Sequence, residues 1–213
     1  MSDGIVESIT EDALAFIMNE SVTAAPSFGL GALYRRWLRR RAKEAQDILL
    51  KELGQGFQLN GDFEQDNFFS LLFRYLNAVK QGSARRNLRL LAQIIKNGCR
   101  PSIEFVADEL ASFADMVAAL SRDELELLAG LWRNHLVRQA TSSEEEWLIV
   151  YNATLEEMVP RYFGSKEEMM GVAASLLRTG CVTMPAVWGG NRIDVTSKYY
   201  KLMMLCDIES ALT

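Results

Sequence analysis

Histidine is almost missing from this chain, with His135 the only one in 213 residues. A metal centre or an imidazole-based acid–base pair would have to be drawn from unrelated segments. The three cysteines, Cys99, Cys181 and Cys206, lie far apart among apolar or small neighbours and show no Cys-x-x-Cys spacing. An odd, scattered set argues against a disulfide framework and reads as buried free thiols. Long apolar runs are also lacking: none approaches the roughly 18 residues that a spanning helix needs. The first residues, Met1-Ser-Asp-Gly-Ile-Val-Glu, are acidic where a secretory signal has a basic segment and an unbroken apolar stretch, so the expectation is a cytoplasmic protein.

Motifs of catalysis are missing as well. Gly29-Leu-Gly31 follows no strand and lacks both the length of a dinucleotide fingerprint and the Lys-Ser/Thr of a phosphate loop. Glu144, Glu145 and Glu146 point in different directions on a helix and fit a first turn, where the dipole favours acids. His135 has no nucleophile turn near it and reads as a partly exposed helix residue beside Trp132, Asn134 and Arg138. No catalytic, cofactor-binding or metal-ligating residue is assigned, no cofactor is expected and no small-molecule substrate is inferred. An enzyme remains only if its site is assembled from dispersed carboxylates.

What is present begins with charge. Residues 1–30 carry a net −5, residues 31–103 a net +8, and residues 104–213 a net −8. The hydrophobic share of 49% against 24% charged is that of an ordinary globular chain long enough to bury a core.

Periodicity predicts a mainly α protein of about nine helices and one β-hairpin. Thr10 caps a short helix through Ala13, Leu14, Ile17 and Met18. A longer helix spans 30–53, with Leu33, Trp37, Leu38, Ala42, Ala45, Ile48, Leu49 and Leu53 at steps of three and four. Its other face is Arg35, Arg36, Arg39, Arg40, Arg41 and Lys43. A third helix starts at Asp62 and ends at Gly82. Ser83 is expected to cap a fourth, over 84–96, with Arg85, Arg86, Arg89 and Lys96 off its apolar side and Asn97-Gly98 as a left-handed stop. A fifth helix is marked by apolar residues from Ile103 to Leu120. Three capping boxes follow, Ser121-Arg-Asp-Glu124, Ser143-Glu-Glu-Glu146 and Ser165-Lys-Glu-Glu168, each opening a helix, the second closing near Pro160. No period of 20 to 50 residues repeats. The expected division is a helical bundle over 1–120 packed on a C-terminal unit over 121–213.

In that C-terminal unit, Met169, Met170, Ala173, Leu176 and Leu177 give the third capped helix one apolar face, and Gly180 supplies the turn that stops it. Cys181-Val-Thr-Met reads as a strand, Gly189-Gly190-Asn191 as a turn, Arg192-Ile-Asp-Val195 as the returning strand, and Thr196 as the cap of the last helix. This order resembles the winged helix-turn-helix module of bacterial regulators. The matching residues are Leu176, Leu177, Gly180, Cys181, Val182, the hairpin around Gly190, and Val195-Thr196. The resemblance covers residues 121–212. Tyr199 stands where many such domains have Gly, and residues 139–142 are not an evident helix-turn-helix turn. The exposed surface that the resemblance implies is Lys166, Ser175, Arg178 and Arg192, a set short of base-reading donors and led by Glu167 and Glu168. The stretch Ser83-Ala-Arg-Arg-Asn-Leu-Arg-Leu-Leu-Ala-Gln resembles uncharacterised bacterial helical proteins, from which no function carries over.

Three fates compete for the arginines of the middle segment. They can be neutralised by the acidic C-terminal half, they can hold a polyanion, or, with Phe28, Leu30, Leu33, Tyr34, Trp37 and Leu38, they can lie on an anionic membrane. Two functional readings follow. The leading one is a non-enzymatic interaction protein whose winged-helix-like unit contacts another protein or a second copy. The alternative is a nucleic-acid-binding regulatory protein that contacts phosphates through Arg35, Arg36, Arg39, Arg40, Arg41, Arg85, Arg86 and Arg89. Membrane contact ranks below both.

Overall fold

The computed structural model describes residues 30–54, 57, 62–100, 105–138, 144–187 and 190–213. Among these the protein is mainly α, with nine α-helices and one antiparallel β-hairpin. The chain separates into two compact units, Met1–Ala119 and Leu120–Thr213. No helix of the described residues is long and apolar enough to cross a membrane.

The first unit holds α1 (Leu30–Leu53), α2 (Asp62–Gln81), α3 (Arg85–Gly98) and α4 (Ala107–Ala119). On α1 the buried positions Leu38, Ala42, Ala45, Leu49 and Leu53 recur at helical steps, which leaves the opposite stripe to charge. The small Ala42 and Ala45 let neighbouring helices approach, and the Tyr75 hydroxyl of α2 donates to the Ala45 carbonyl at 2.6 Å. α3 is buried on most of its circumference: Asn87, Leu88, Leu90, Leu91, Ala92, Ile94 and Ile95 all face inward. Its one buried amide is satisfied, since the Asn87 Nδ2 donates to the Val117 carbonyl of α4 at 2.7 Å.

Two details of this unit depart from the sequence expectations. The N-cap of α3 is Ala84, without a side-chain cap, and Ser83 instead offers its carbonyl to the Arg41 guanidinium. Gly98 is not a left-handed stop but the last residue of α3. A Cβ there would lie 2.8 Å from a Leu110 methyl, so close packing, and not backbone freedom, calls for glycine at this position. The left-handed turns are at Gly54 and Gly82, with φ of 75° and 81°.

The second unit holds α5 (Arg122–Arg138), α6 (Glu144–Arg161), α7 (Lys166–Leu176), a 3-10 turn (Leu177–Thr179), strands β1 (Val182–Thr183), β2 (Ala186–Val187), β3 (Gly190–Asn191) and β4 (Asp194–Val195), then α8 (Ser197–Leu205) and α9 (Ile208–Leu212). The hairpin zips in two steps: Val182 pairs with Val195 and Thr183 with Asp194, then Ala186 with Asn191 and Val187 with Gly190. Gly190 and Asn191 therefore belong to a strand and not to the turn. The ladder breaks between its steps at Pro185, whose carbonyl accepts from the Arg192 amide at 3.2 Å.

Capping at the start of α5 follows the predicted box in both directions. The Ser121 amide donates to Glu124 Oε2 at 2.8 Å, and the Glu124 amide donates to the Ser121 hydroxyl at 3.2 Å. At α7 only half the box forms: the Glu168 amide meets the Ser165 hydroxyl at 3.2 Å, while the Glu168 carboxylate accepts from the Gly164 amide at 2.6 Å, one residue upstream of the expected partner. Gly180 adopts φ 70° as the hairpin's entry requires. Thr196 stands at the N-cap of α8, but its hydroxyl donates to the Gly180 carbonyl at 2.6 Å instead of accepting from the helix, which ties the exit of the hairpin to its entrance. The last expected helix ends at Leu205, and a further short helix, α9, begins after Asp207, whose carboxylate accepts from the Ser210 amide at 3.1 Å. Tyr199 is fully buried, and its hydroxyl donates to the Leu128 carbonyl at 2.9 Å; a glycine there would leave a large void. The helix at Thr10, the box at Ser143, the loop 139–142, Phe28 and Gly189 lie outside the described residues.

A basic cleft as the candidate functional site

α1 and α3 pack side by side, and their charged stripes face each other across a cleft of about 680 Å³. Helical spacing makes the stripe: residues 39/40, 43/44, 47/48 and 51/52 recur every turn along α1, and Arg85 and Arg89 do so on α3. The lining is Arg39, Arg40, Lys43, Glu44, Asp47, Ile48, Lys51, Glu52, Arg85 and Arg89, six cations against three carboxylates.

Two of the carboxylates are engaged across the cleft. Arg85 Nε lies 2.8 Å from Glu44 Oε1, and Arg89 Nε lies 3.3 Å from Glu52 Oε1. Gln93 donates to the other oxygen of Glu52 at 3.2 Å. The inner pair is the more enclosed, with the Glu52 side chain 16% exposed against 30% for Glu44. Arg39, Arg40, Lys43 and Lys51 are exposed and form no ion pair with any described residue, and Asp47 is the single carboxylate left among them. Among the described residues, four unpaired cations against one unpaired anion leave the cleft positive. The carboxylates set against Arg85 and Arg89 come from α1 itself.

The predicted arginine set is thus divided. Arg39, Arg40, Arg85 and Arg89 are brought together; Arg35, Arg36, Arg41 and Arg86 do not line the cleft. Arg41 turns toward the protein, bonded to the Ser83 carbonyl, with its guanidinium carbon 5.9 Å from the centre of the Trp37 ring. Lys43, which the sequence already sets on the arginine face of the helix, lines the cleft with them, and Lys51 joins it without having been singled out. Glu44 and Glu52 carry no signal in the sequence, because their partners are 41 and 37 positions away.

In the second unit the predicted winged surface is largely occupied. The Glu124 carboxylate receives the Ser175 hydroxyl at 2.5 Å and both terminal nitrogens of Arg178, one at 3.0 Å. Burial alone would raise the Glu124 pKa, but the hydrogen bonds from Arg178, Ser175 and the Ser121 amide outweigh it and hold it at about 2. Arg192 is buried and grips Asp194 through two bonds, Nε to Oδ1 at 2.6 Å and Nη2 to Oδ2 at 2.7 Å. Lys166 extends its ammonium toward the Tyr151 ring at 6.0 Å. Arg133 is shared between Glu157 at 2.6 Å and Glu209 at 2.5 Å, tying α5 to α6 and α9.

Among the described residues, no three His, Cys, Asp or Glu side chains are grouped to hold a metal ion. Cys99, Cys181 and Cys206 are buried and unbonded to one another. His135 stacks on Trp132 with ring centres 5.7 Å apart and meets Tyr200 edge-on at 5.5 Å, and burial lowers its pKa. Compared with family models, curated proteins and solved structures, the chain matches none, so the reading of its function rests on this geometry.

Proposed function

We propose that the first unit binds a phosphate-bearing polyanion, nucleic acid first among them, through the cleft between α1 and α3. The observation that carries this reading is the set of four exposed cations, Arg39, Arg40, Lys43 and Lys51, without a carboxylate partner among the described residues, beside an arginine pair fixed by Glu44 and Glu52. Free cations at helical spacing release counterions from a phosphate chain, which is the main source of sequence-independent affinity. Fluorescence anisotropy of a labelled oligonucleotide against salt tests it. With four contacts the slope of log K on log salt is about −3; binding that ignores salt would remove the reading.

A second reading, contact with a second copy of the chain through the winged-helix-like unit, is favoured by a different observation. Leu136 on α5 and Leu148 and Ile149 on α6 are 55%, 43% and 50% exposed, and they flank the same connection in sequence. Sizing with light scattering tests it: a dimer that Ile149→Glu dissolves supports it, and a strict monomer counts against it.

A further inference from the structure

On α1, N-terminal to the residues that line the cleft, stand Trp37 and Tyr34, stacked with ring centres 5.8 Å apart and planes 24° from parallel. Both are about two-fifths exposed, 42% and 41%, although they are among the largest apolar side chains of the unit. The Trp37 ring is not loose. It lies over Gly82, where a Cβ would come within 3.7 Å of it, and Arg41 approaches its face at 5.9 Å while anchored to the Ser83 carbonyl. Gly82 and Ser83 lead into α3, so the ring pair sits at the end of the cleft marked by Arg40, Glu44 and Arg85.

A flat, fixed aromatic surface at the mouth of a cationic groove has a definite ligand chemistry. Resting on the cleft reading above, we infer that Trp37 and Tyr34 form a stacking platform for an unpaired base, and that the ligand is a single-stranded nucleic acid whose phosphates run along Arg40, Lys43 and Arg85. Base stacking on exposed aromatics beside a basic track is how single strands are held without regard to sequence. A duplex keeps its bases stacked inside and offers the rings nothing. A groove between two packed helices, whose axes lie about 8–10 Å apart, follows one strand. An anionic membrane would use the cations in the same way and also accepts Trp and Tyr at its interface, so vesicles are set beside the single strand in the test.

The test compares four probes on the full chain: an oligothymidylate of about 20 nucleotides, a duplex of the same length, inorganic polyphosphate, and vesicles rich in phosphatidylserine. Trp37→Ala is expected to weaken the oligothymidylate about tenfold, to leave polyphosphate unchanged, and to be largely rescued in Trp37→Phe, which keeps a ring and guards against a folding defect. Tyr34→Ala is expected to give a smaller loss of the same kind. Equal weakening of both linear anions, no weakening, tighter binding of the duplex, or binding of vesicles in place of the oligonucleotide would each overturn the platform while leaving a cationic cleft. Failure of both oligothymidylate and polyphosphate to bind the unaltered chain would overturn the cleft reading itself, and the platform with it.

Discussion

The arginines that line the cleft of the first unit and those on the winged surface of the second are set in different surroundings. In the second unit Arg122, Arg133, Arg178 and Arg192 each meet a carboxylate, and the two most enclosed acids, Glu124 and Glu126, are both spent on such pairs. In the first unit Arg85 and Arg89 are paired, but Arg39 and Arg40 on the facing helix are not. The difference lies less in how many bases each segment carries than in where the acids fall. Around Arg178 and Arg192 a carboxylate is in reach of every guanidinium, so the positive charge becomes part of the fold. Along α1 the acids Glu44 and Glu52 are taken up by Arg85 and Arg89 of α3, so the cations beside them stay open. Availability, and not abundance, makes a binding surface.

That contrast can be broken most directly at the cleft. Reversing Arg39, Arg40 and Lys43 to Glu is expected to lower oligonucleotide affinity by roughly a hundredfold or more at low salt, with little change in melting temperature because these side chains touch nothing in the core. Anisotropy titration with a parallel thermal melt measures both, and a large loss of stability would mean that the cations are structural after all. Next in size is Glu124→Ala, which removes half a capping box and the carboxylate that Arg178 and Ser175 share, leaving them only the Ser175 and Val172 carbonyls, at about 2–3 kcal/mol. Urea unfolding checks the cost. The same variant sharpens the comparison, since an Arg178 relieved of its carboxylate should add a weak, salt-dependent increment to oligonucleotide binding over the unaltered chain.

Acid provides a milder version of the same experiment. The Glu124 pKa is held at about 2 in the folded chain against 4.5 ordinarily. A folded value below the unfolded one means that the stability is complete above about pH 4.5 and drains as pH falls toward 2. Because the Arg178 side chain is 49% exposed, solvent screening limits the effect to about 1–2 kcal/mol. The gap between the unaltered chain and Glu124→Gln should therefore narrow across that window, and a gap indifferent to pH would refute the assignment. Smallest of all is Glu44→Gln. Its pair with Arg85 is open to water, with the arginine 71% exposed, so stability should change by less than about 0.5 kcal/mol. Oligonucleotide affinity, in contrast, should rise a few-fold as Arg85 becomes available.

Much of the helical layout was legible because its signals are local. The apolar steps from Leu33 to Leu53 and the breaks at Gly54 and Gly82 delimit α1 and α2, and the Ser121 box announces α5 within four residues. What could not be read is long-range. Glu124 is spelled as a cap and serves as one, yet its second task, holding Arg178, joins positions 54 apart. The apolar faces of α1 and α3 are compatible with several neighbours, so nothing in either helix shows that Arg40 and Arg85 share a cleft. Local signals also misled where two roles fit one residue. Gly98 looked like a stop and is a packing contact, and Thr196 looked like a cap and is a clasp.

The three thiols have a practical consequence. Cys99, Cys181 and Cys206 are all buried, and burial pushes the thiols of Cys181 and Cys206 up from their ordinary values, so that at neutral pH they are both hidden and protonated. To a maleimide dye the folded chain is silent. A cysteine introduced at Asp47, in the lining of the cleft, would be its one reactive handle, and a fluorophore placed there would report occupancy of the groove without any native cysteine having to be removed.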